Sequence, residues 1–137
     1  MLANSEGNIV IYALLVYETD ANFGERDALE PESTYVSAWR AYYNAAVEAG
    51  IYAGGHPLET VSAATTVRHD DGRRLVQDGP YANTKEQLGG LLLLDLATLD
   101  EALDWAARCP TAAHGAVEVR PIASDVEQRI TGDDLAR

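Results

Sequence analysis

Two long apolar segments restrict the fold of this chain more than any other feature of its sequence. Residues 9–17 are continuously apolar and β-prone, and residues 88–96 contain Asp95 as their one charge. Neither segment shows the alternation of apolar and polar residues that is typical of a strand with one face in water. We therefore predict two strands that are covered on both faces.

Two amphipathic helices are predicted from the spacing of apolar residues. The first covers residues 31–49, where apolar side chains repeat every three or four positions, and Gly50 is placed to end it with a left-handed backbone. The second covers residues 98–109 and begins with a capping box, in which Thr98 and Glu101 satisfy orphan backbone amides. One face of each helix is therefore expected to be buried.

A hairpin and two shorter strands complete the predicted regular structure. Asp70-Asp71-Gly72 lies between the β-prone runs 63–69 and 73–77, and Asp-Gly in that setting is a strong hairpin signal. Strands are also predicted at 51–55, whose two glycines indicate a bulge or a close backbone approach, and at 115–122.

Two segments are expected to lack regular structure. Residues 18–32 contain six acids and indicate a solvated loop that can act as a flap. The segment 123–137 has few apolar residues and is predicted to be a loosely held tail. With residues 1–8 as a polar extension, a single domain over residues 9–122 is expected for a chain of 137 residues.

The order strand, helix, strand, hairpin, strand, helix, strand determines the predicted fold class. It is α+β, with a ferredoxin-like antiparallel sheet and two helices on one face. The other face would stay uncovered, although the strands at 9–17 and 88–96 are apolar on both sides. A second copy of the chain is the simplest cover, so we expect a homodimer packed sheet to sheet.

Charge and composition exclude several functional classes. Twenty-two acids and ten bases give a net charge of −12, which opposes binding to nucleic acid and to anionic membrane surfaces. No apolar run approaches the ~20 residues of a membrane-spanning helix, and the polar amino terminus lacks a signal peptide, so a cytoplasmic location is expected. Cys109 is the one cysteine, and His56, His69 and His114 lack metal-ligand spacing, so we expect neither a metal nor a cofactor.

A series of short motifs runs through most of the chain. The motifs are Tyr12–Tyr17, Thr66–Arg68, Asp71–Arg73, Asp78–Ala82, Thr84–Gly90, Ala102–Pro110 and Val117–Ile122. Together they span residues 10–122 and resemble the YCII-related family, specifically the branch named for an Asp-Gly-Pro-Phe signature. Tyr81 stands where the name of that branch has Phe, which keeps an aromatic ring and adds a hydroxyl.

The resemblance implies a dimeric α+β barrel, in agreement with the predicted fold, but it implies no reaction. A dehydrochlorinase of a related branch is thought to use a His on the first helix and an Asp before the proline that follows the second helix. Residues 31–50 contain no His and Cys109 precedes Pro110, so that pair is not transferred. Members of the Asp-Gly-Pro-Phe branch are often encoded beside extracytoplasmic-function sigma factors, which implies a regulatory context.

Three side chains are candidates for acid–base chemistry. Asp78 suits a general acid or base, or alternatively it caps a turn in which Gly79 supplies a positive φ and Pro80 fixes the exit. Tyr81 suits a proton donor, or else a core aromatic. His56 is expected near a strand end and suits proton transfer near neutral pH, although a lone loop histidine is more often a surface residue.

Aromatic residues and one lysine are candidates for ligand binding. Seven tyrosines accompany a single phenylalanine, and rings with hydroxyls suit a cavity for a small aromatic or hydroxylated ligand, or else a core and dimer interface. The candidates are Tyr17, Trp39 and Tyr43. Lys85 on the loop could close the pocket, or else form a solvated pair with Glu86.

Two functions from different classes follow from these residues. One is a small-molecule-binding protein or cofactor-independent acid–base enzyme, of elimination or isomerisation type, with a Tyr-lined pocket between helix and sheet. The other is a non-catalytic homodimeric regulatory module, linked to an extracytoplasmic-function sigma factor, that uses its acidic surface on a basic protein partner. If Asp78 and His56 face each other across a closed pocket, the small-molecule-binding or enzymatic function is favoured.

Overall fold

Six strands and four α-helices form the part of the chain that the computed structural model describes, residues 10–28 and 33–132. In chain order they are β1 (Val10–Glu18), α1 (Asp20–Arg26), α2 (Thr34–Glu48), β2 (Tyr52–Pro57), β3 (Thr65–Asp70), β4 (Arg73–Asp78), β5 (Gln87–Leu96), α3 (Leu99–Ala107), β6 (Ala116–Pro121) and α4 (Ser124–Thr131). Short 3-10 turns at Val61–Ala63 and Pro110–Ala113 lie between them. Within these described ranges, no helix is both long and apolar enough to cross a membrane.

Four of the strands form one sheet in the order β2-β5-β1-β6, and every neighbouring pair is antiparallel. Helix α2 connects β1 to β2, and α3 connects β5 to β6. This strand order with these two connections is the ferredoxin-like arrangement. The predicted α+β fold class is therefore confirmed, whereas assembly into a dimeric barrel stays a prediction.

The two apolar segments form the central strands β1 and β5. Along β1 every second residue is buried, and Leu14 on β1 and Leu94 on β5 are both fully buried. The intervening residues of β1 are only half-buried within one chain. Burial on the face that meets the helices is therefore complete along β1 but not along β5, where Leu92 is half-buried, and the other face is only partly covered.

Helices α2 and α3 pack on the covered face through small and aromatic residues. Ala46 and Ala102 are fully buried, and the Tyr42 ring packs edge-on against Trp105 with centroids 5.6 Å apart. The Tyr42 hydroxyl also donates a hydrogen bond to the Trp105 carbonyl at 2.8 Å. The Thr98 half of the predicted capping box of α3 is present, because the Glu101 amide donates to Thr98 Oγ1 at 3.1 Å, whereas the Glu101 carboxylate accepts from the Thr98 hydroxyl at 3.3 Å and not from a backbone amide.

The acidic segment after β1 is not the irregular loop that its composition indicated. Thr19 caps helix α1 by accepting a hydrogen bond from the Asn22 amide at 3.2 Å, and Phe23 on that helix is buried. One cap and one buried ring are enough to order a short helix here. The part of the predicted loop at 29–32 lies outside the described residues.

The segment after β6 is helical over residues 124–131, which the prediction of a loosely held tail did not include, and the loose attachment itself stays a prediction. Helix α4 has acids in its first turn, Arg129 in its last turn, and Gly132 after it at φ +73°. These features favour a helix through its dipole and its carboxyl-terminal cap. None of its residues is buried, which explains why an apolar pattern did not reveal it. The predicted extension 1–8 lies outside the described residues.

Among the described residues, strands β3 and β4 pair only with each other, which confirms the predicted hairpin. Asp71 and Gly72 have φ values of +54° and +78°, the positive values that a two-residue type I′ turn requires. Both strands are exposed along almost their whole length, including Val67 and Val76. The hairpin therefore stands apart from the four-stranded sheet.

Candidate functional site

Two cavities lie on opposite faces of the sheet. One, of about 380 Å³, lies between α2 and strands β2 and β5, and Glu18 lines it. The other, of about 510 Å³, lies beside the hairpin base, and Tyr17 lines it. Since Tyr17 and Glu18 are adjacent on β1, their side chains point to opposite faces. We call the first the α2 cavity and the second the hairpin cavity.

The seven side chains predicted as site residues are divided between these places. Trp39, Tyr43 and His56 line the α2 cavity. Tyr17 and Tyr81 line the hairpin cavity. Asp78 and Lys85 line neither of the two. The structure thus brings three of the seven together and does not bring Asp78 into a cavity with His56.

Asp78 is the exposed last residue of β4, and the turn that follows it is held by its neighbour. The Gly79 amide donates to the Ala64 carbonyl, and the Gly79 carbonyl accepts from Thr66 Oγ1, both at 2.8 Å. Gly79 has φ +107°, so it supplies the positive φ expected of this turn. Tyr81 beyond it is 78% exposed and lies under the Arg68 guanidinium, 5.0 Å from the ring centre. The signature is therefore built around a backbone turn.

Glu18 is the polar residue that the sequence analysis missed. It is 2% exposed at the end of β1, and one of its oxygens, Oε2, accepts a short hydrogen bond from the Tyr35 hydroxyl. The other, Oε1, accepts from the Thr111 hydroxyl at 3.0 Å. Both carboxylate oxygens therefore have donors, as a buried acid requires. Glu18 falls on the same face as Leu14 and Val16, but the continuously apolar sequence of β1 gave no signal of which face is buried.

The environment of Tyr35 keeps its hydroxyl protonated. Burial raises the pKa of Tyr35 well above its usual range, and the hydrogen bond to Glu18 and the charge of Glu18 raise it further. The Tyr35 hydroxyl is therefore the donor, and Glu18 the acceptor, of this hydrogen bond near neutral pH. Glu18 in turn fixes the position of the Tyr35 ring at the wall of the α2 cavity.

Arg26 fastens α1 to the rim of the same cavity. Its Nη1 donates to the Leu58 carbonyl at 2.7 Å and to the Gly89 carbonyl at 3.3 Å, and its Nε donates to Asp27 at 2.8 Å. Burial lowers the pKa of Arg26, but the hydrogen bond and charge of Asp27 outweigh that effect, so the pKa is raised. Most of the donors of Arg26 are thus already occupied.

Glycines form the floor of the α2 cavity because side chains do not fit there. A Cβ on Gly89 would lie 2.8 Å from Cγ of Glu18 and 3.1 Å from Cζ of Phe23. A Cβ on Gly55 would lie 2.9 Å from Cδ2 of Leu92. Pairing of β2 with β5 also shifts register before Gly54, so the predicted bulge and close approach are both present. Gly89 therefore makes room for the buried Glu18, whereas Gly90 allows the close approach of the His56 and Pro57 backbone.

Aromatic rings wall the cavity on two sides. On one side Tyr35 and Trp39 have ring centres 6.5 Å apart, and on the other Tyr43 and Tyr52 pack edge-on at 5.0 Å. Nε1 of Trp39 is buried and has no hydrogen-bond partner in the part of the chain described. A buried donor without a partner is destabilising, so an acceptor supplied by a ligand would improve its environment.

The polar groups of the cavity suit binding and proton transfer better than metal ligation. Over residues 10–28 and 33–132, no three His, Cys, Asp or Glu side chains are grouped closely enough to hold a metal ion. His56 supplies an imidazole, the side chain that exchanges protons most readily near neutral pH. Glu18 is committed to its two hydroxyl donors, so we assign it a positioning role.

Comparison with known proteins identifies the relatives of this chain. Residues 10–124 match the YCII-related domain. An uncharacterized protein of Rhizobium meliloti (strain 1021) is 40% identical over 116 residues, which cover 83% of this chain and 93% of that protein. The residues matched by the family model include both central strands, the glycine floor of the α2 cavity and Glu18. The chain therefore belongs to the YCII-related family.

Proposed function

We propose that this protein binds a small organic molecule with an aromatic ring in the α2 cavity. The observation that carries the proposal is that Trp39, whose buried Nε1–H has no partner among the described residues, lines a cavity walled by tyrosine rings. A volume of about 380 Å³ lies within the usual range for ligand sites, and such sites combine apolar walls with few polar groups. Edge and face contacts with Tyr43 and Tyr35 would hold an aromatic ligand.

For this site we propose acid–base chemistry without a cofactor. The reaction would be an elimination or an isomerisation. His56 is the proton-transfer group in this proposal, because imidazole is effective near neutral pH. Tyr35 would donate a hydrogen bond only through reorganisation, since its proton is already directed to Glu18. Asp78 is left out of the proposal, because it lines neither cavity.

The two tryptophans of the chain allow a direct test of binding. Titration of ¹⁵N-labelled protein with phenol, catechol, benzoate and benzamide should move the indole N–H resonance of Trp39 and leave that of Trp105 in place. Trp105 packs on Tyr42 and under Arg108, and it does not line the α2 cavity, so it is an internal control. The Trp39→Phe variant assigns the two resonances. If no probe moves the Trp39 resonance selectively, the proposed site is wrong.

A homodimer is proposed for the face of the sheet that the helices leave partly open. Ile11, Leu15, Leu91 and Leu93 on this face are half-buried in one chain, and together they form an apolar surface. Leu15→Glu should convert the dimer to a monomer in light-scattering measurements, whereas Ile130→Glu on the exposed face of α4 should not. A wild-type protein that is monomeric at all concentrations would contradict the proposal.

The second candidate function is a regulatory module of the Asp-Gly-Pro-Phe branch that binds a basic protein such as an extracytoplasmic-function sigma factor. The net charge of −12 favours it. Binding of a purified sigma factor of this class should then weaken steeply with salt. Retention of binding after Trp39→Phe would separate this function from ligand binding in the α2 cavity.

A further inference from the structure

We propose that the ligand of the α2 cavity is an organic anion, an aromatic carboxylate whose charged group is bound by Arg40. The inference rests on the proposed function and names its ligand class. Its basis is that some charged and hydrogen-bonding groups around the cavity already have protein partners, whereas Arg40 has none among the residues that the structure describes.

The carboxylate of the cavity is already occupied. Glu18 is the one acid among the described residues that line it, and each of its oxygens already accepts from a hydroxyl. The Tyr52 hydroxyl donates to the Gly55 carbonyl at 3.5 Å, at the limit of a hydrogen bond. A cationic ligand would therefore find no free carboxylate among the described residues that line the cavity.

Among the described residues, the cation that remains free at the cavity is Arg40. Arg40 on α2 lines the cavity while remaining exposed, which places it at the mouth, and it has no ion pair or hydrogen bond with the residues described. Nε1 of Trp39 lies one position earlier on the helix and is also unpartnered. By contrast, Arg26 uses its donors on Asp27 and on two carbonyls. A ligand with acceptor oxygens and a negative charge could accept hydrogen bonds from the free guanidinium of Arg40.

The distribution of charge over the chain supports the same ligand class. Acids outnumber bases by 22 to 10 in the whole sequence, yet the described residues around this cavity include Arg26, Arg40 and His56 with the single acid Glu18. A guanidinium recognises a carboxylate through parallel N–H donors, and aromatic walls hold a ring. Benzoate is the simplest molecule with both features.

The test compares benzoate with its neutral isostere benzamide in three proteins. Dissociation constants are measured at low salt from the Trp39 indole resonance for the wild type, for Arg40→Gln and for Arg73→Gln. Arg73 lies on the exposed hairpin, outside the cavity, and its substitution changes the net charge by the same amount. It is therefore the control for long-range electrostatics.

We expect the wild type to bind benzoate about tenfold more tightly than benzamide, and Arg40→Gln to lose about that factor for benzoate alone. Arg73→Gln should keep the wild-type preference. Equal binding of the two probes by the wild type would overturn the anion proposal while leaving the proposed function intact. A loss for both probes in Arg40→Gln would overturn the role of Arg40 as the anion's partner. Failure of every probe to shift the Trp39 resonance would overturn the proposed function itself.

Discussion

The Tyr35 hydroxyl on α2 donates a hydrogen bond to Oε2 of Glu18 at the end of β1, seventeen positions earlier in the chain. Thr111, which is 93 positions after Glu18, donates to the other oxygen. The buried carboxylate thus joins a central strand, the first long helix and the turn after α3. It also sets the position of one aromatic wall of the α2 cavity.

Removal of the Tyr35 hydroxyl should destabilise the fold. Tyr35→Phe leaves one oxygen of a buried acid without its donor, which costs about 1.5–3 kcal/mol in the free energy of unfolding measured with urea. Tyr43→Phe is the matched control, because Tyr43 is 48% exposed, and its cost should stay within about 0.5 kcal/mol. Equal costs for the two variants would show that the Glu18 contact does not stabilise the protein.

A double-mutant cycle should detect the coupling between the two residues. Glu18→Leu and Tyr35→Phe remove opposite ends of one interaction, so their combined cost should be smaller than the sum by about 0.5–3 kcal/mol. The measurement is urea unfolding of both single variants and the double variant. Strict additivity would contradict a direct interaction.

Two glycine-to-alanine variants should have opposite effects on stability. In Gly89→Ala the new methyl meets Glu18 and Phe23 at 2.8–3.1 Å, and such overpacking costs about 1–3 kcal/mol. Gly24 on α1 has nothing within 4 Å of its added Cβ, so Gly24→Ala should be neutral or stabilising by up to about 1 kcal/mol. Thermal unfolding distinguishes them, and a neutral Gly89→Ala would mean that the cavity floor adjusts freely.

The buried thiol should make the protein sensitive to alkali. Cys109 is 3% exposed, and burial raises its pKa from 9.0 to about 11, against a smaller lowering by Tyr42. The folded state therefore holds this proton more tightly than the unfolded state, so its contribution to stability is present below pH 9 and is lost as pH rises toward 11. The raised pKa values of Tyr35, Tyr42 and Tyr52 act in the same direction.

Urea unfolding at several pH values tests this dependence, and Cys109→Ala should flatten it. A thiol reagent at neutral pH should also modify Cys109 only after denaturation, because the folded thiol is both inaccessible and protonated. Rapid modification of the native protein, or a stability that is constant through alkaline pH, would contradict the burial of this group.

The hairpin should open far more readily than the sheet. β3 and β4 pair only with each other and have exposed side chains, whereas β1 pairs on both sides with β5 and β6. An isolated two-stranded hairpin is marginally stable in water, so its amides should exchange with deuterium much faster than those around Leu14. Equal protection would mean that another surface, such as a second copy, covers the hairpin.

Local physics determined much of this fold from the sequence alone. The apolar runs predicted β1 and β5 because only a two-sided burial explains so many consecutive apolar residues. Asp71-Gly72 predicted the hairpin turn through its positive φ values, and Thr98 with Glu101 predicted the start of α3 through a cap. Each of these signals lies within a few residues of the element that it specifies.

Only the tertiary structure decided which residues form the candidate site. Glu18 begins a segment whose composition is that of an acidic loop. Its burial depends on two hydroxyl groups that are 17 and 93 positions away in the sequence. Likewise, strand pairing and the separate hairpin decide that His56 lines a cavity with Trp39 and not with Asp78. The turn after Asp78 is held by the backbone of Gly79. Apolar periodicity and helix capping involve residues within a few positions of each other, whereas a cavity is formed by residues that are far apart in the sequence. For that reason the sequence determined the helices and strands, and the tertiary packing determined the candidate site.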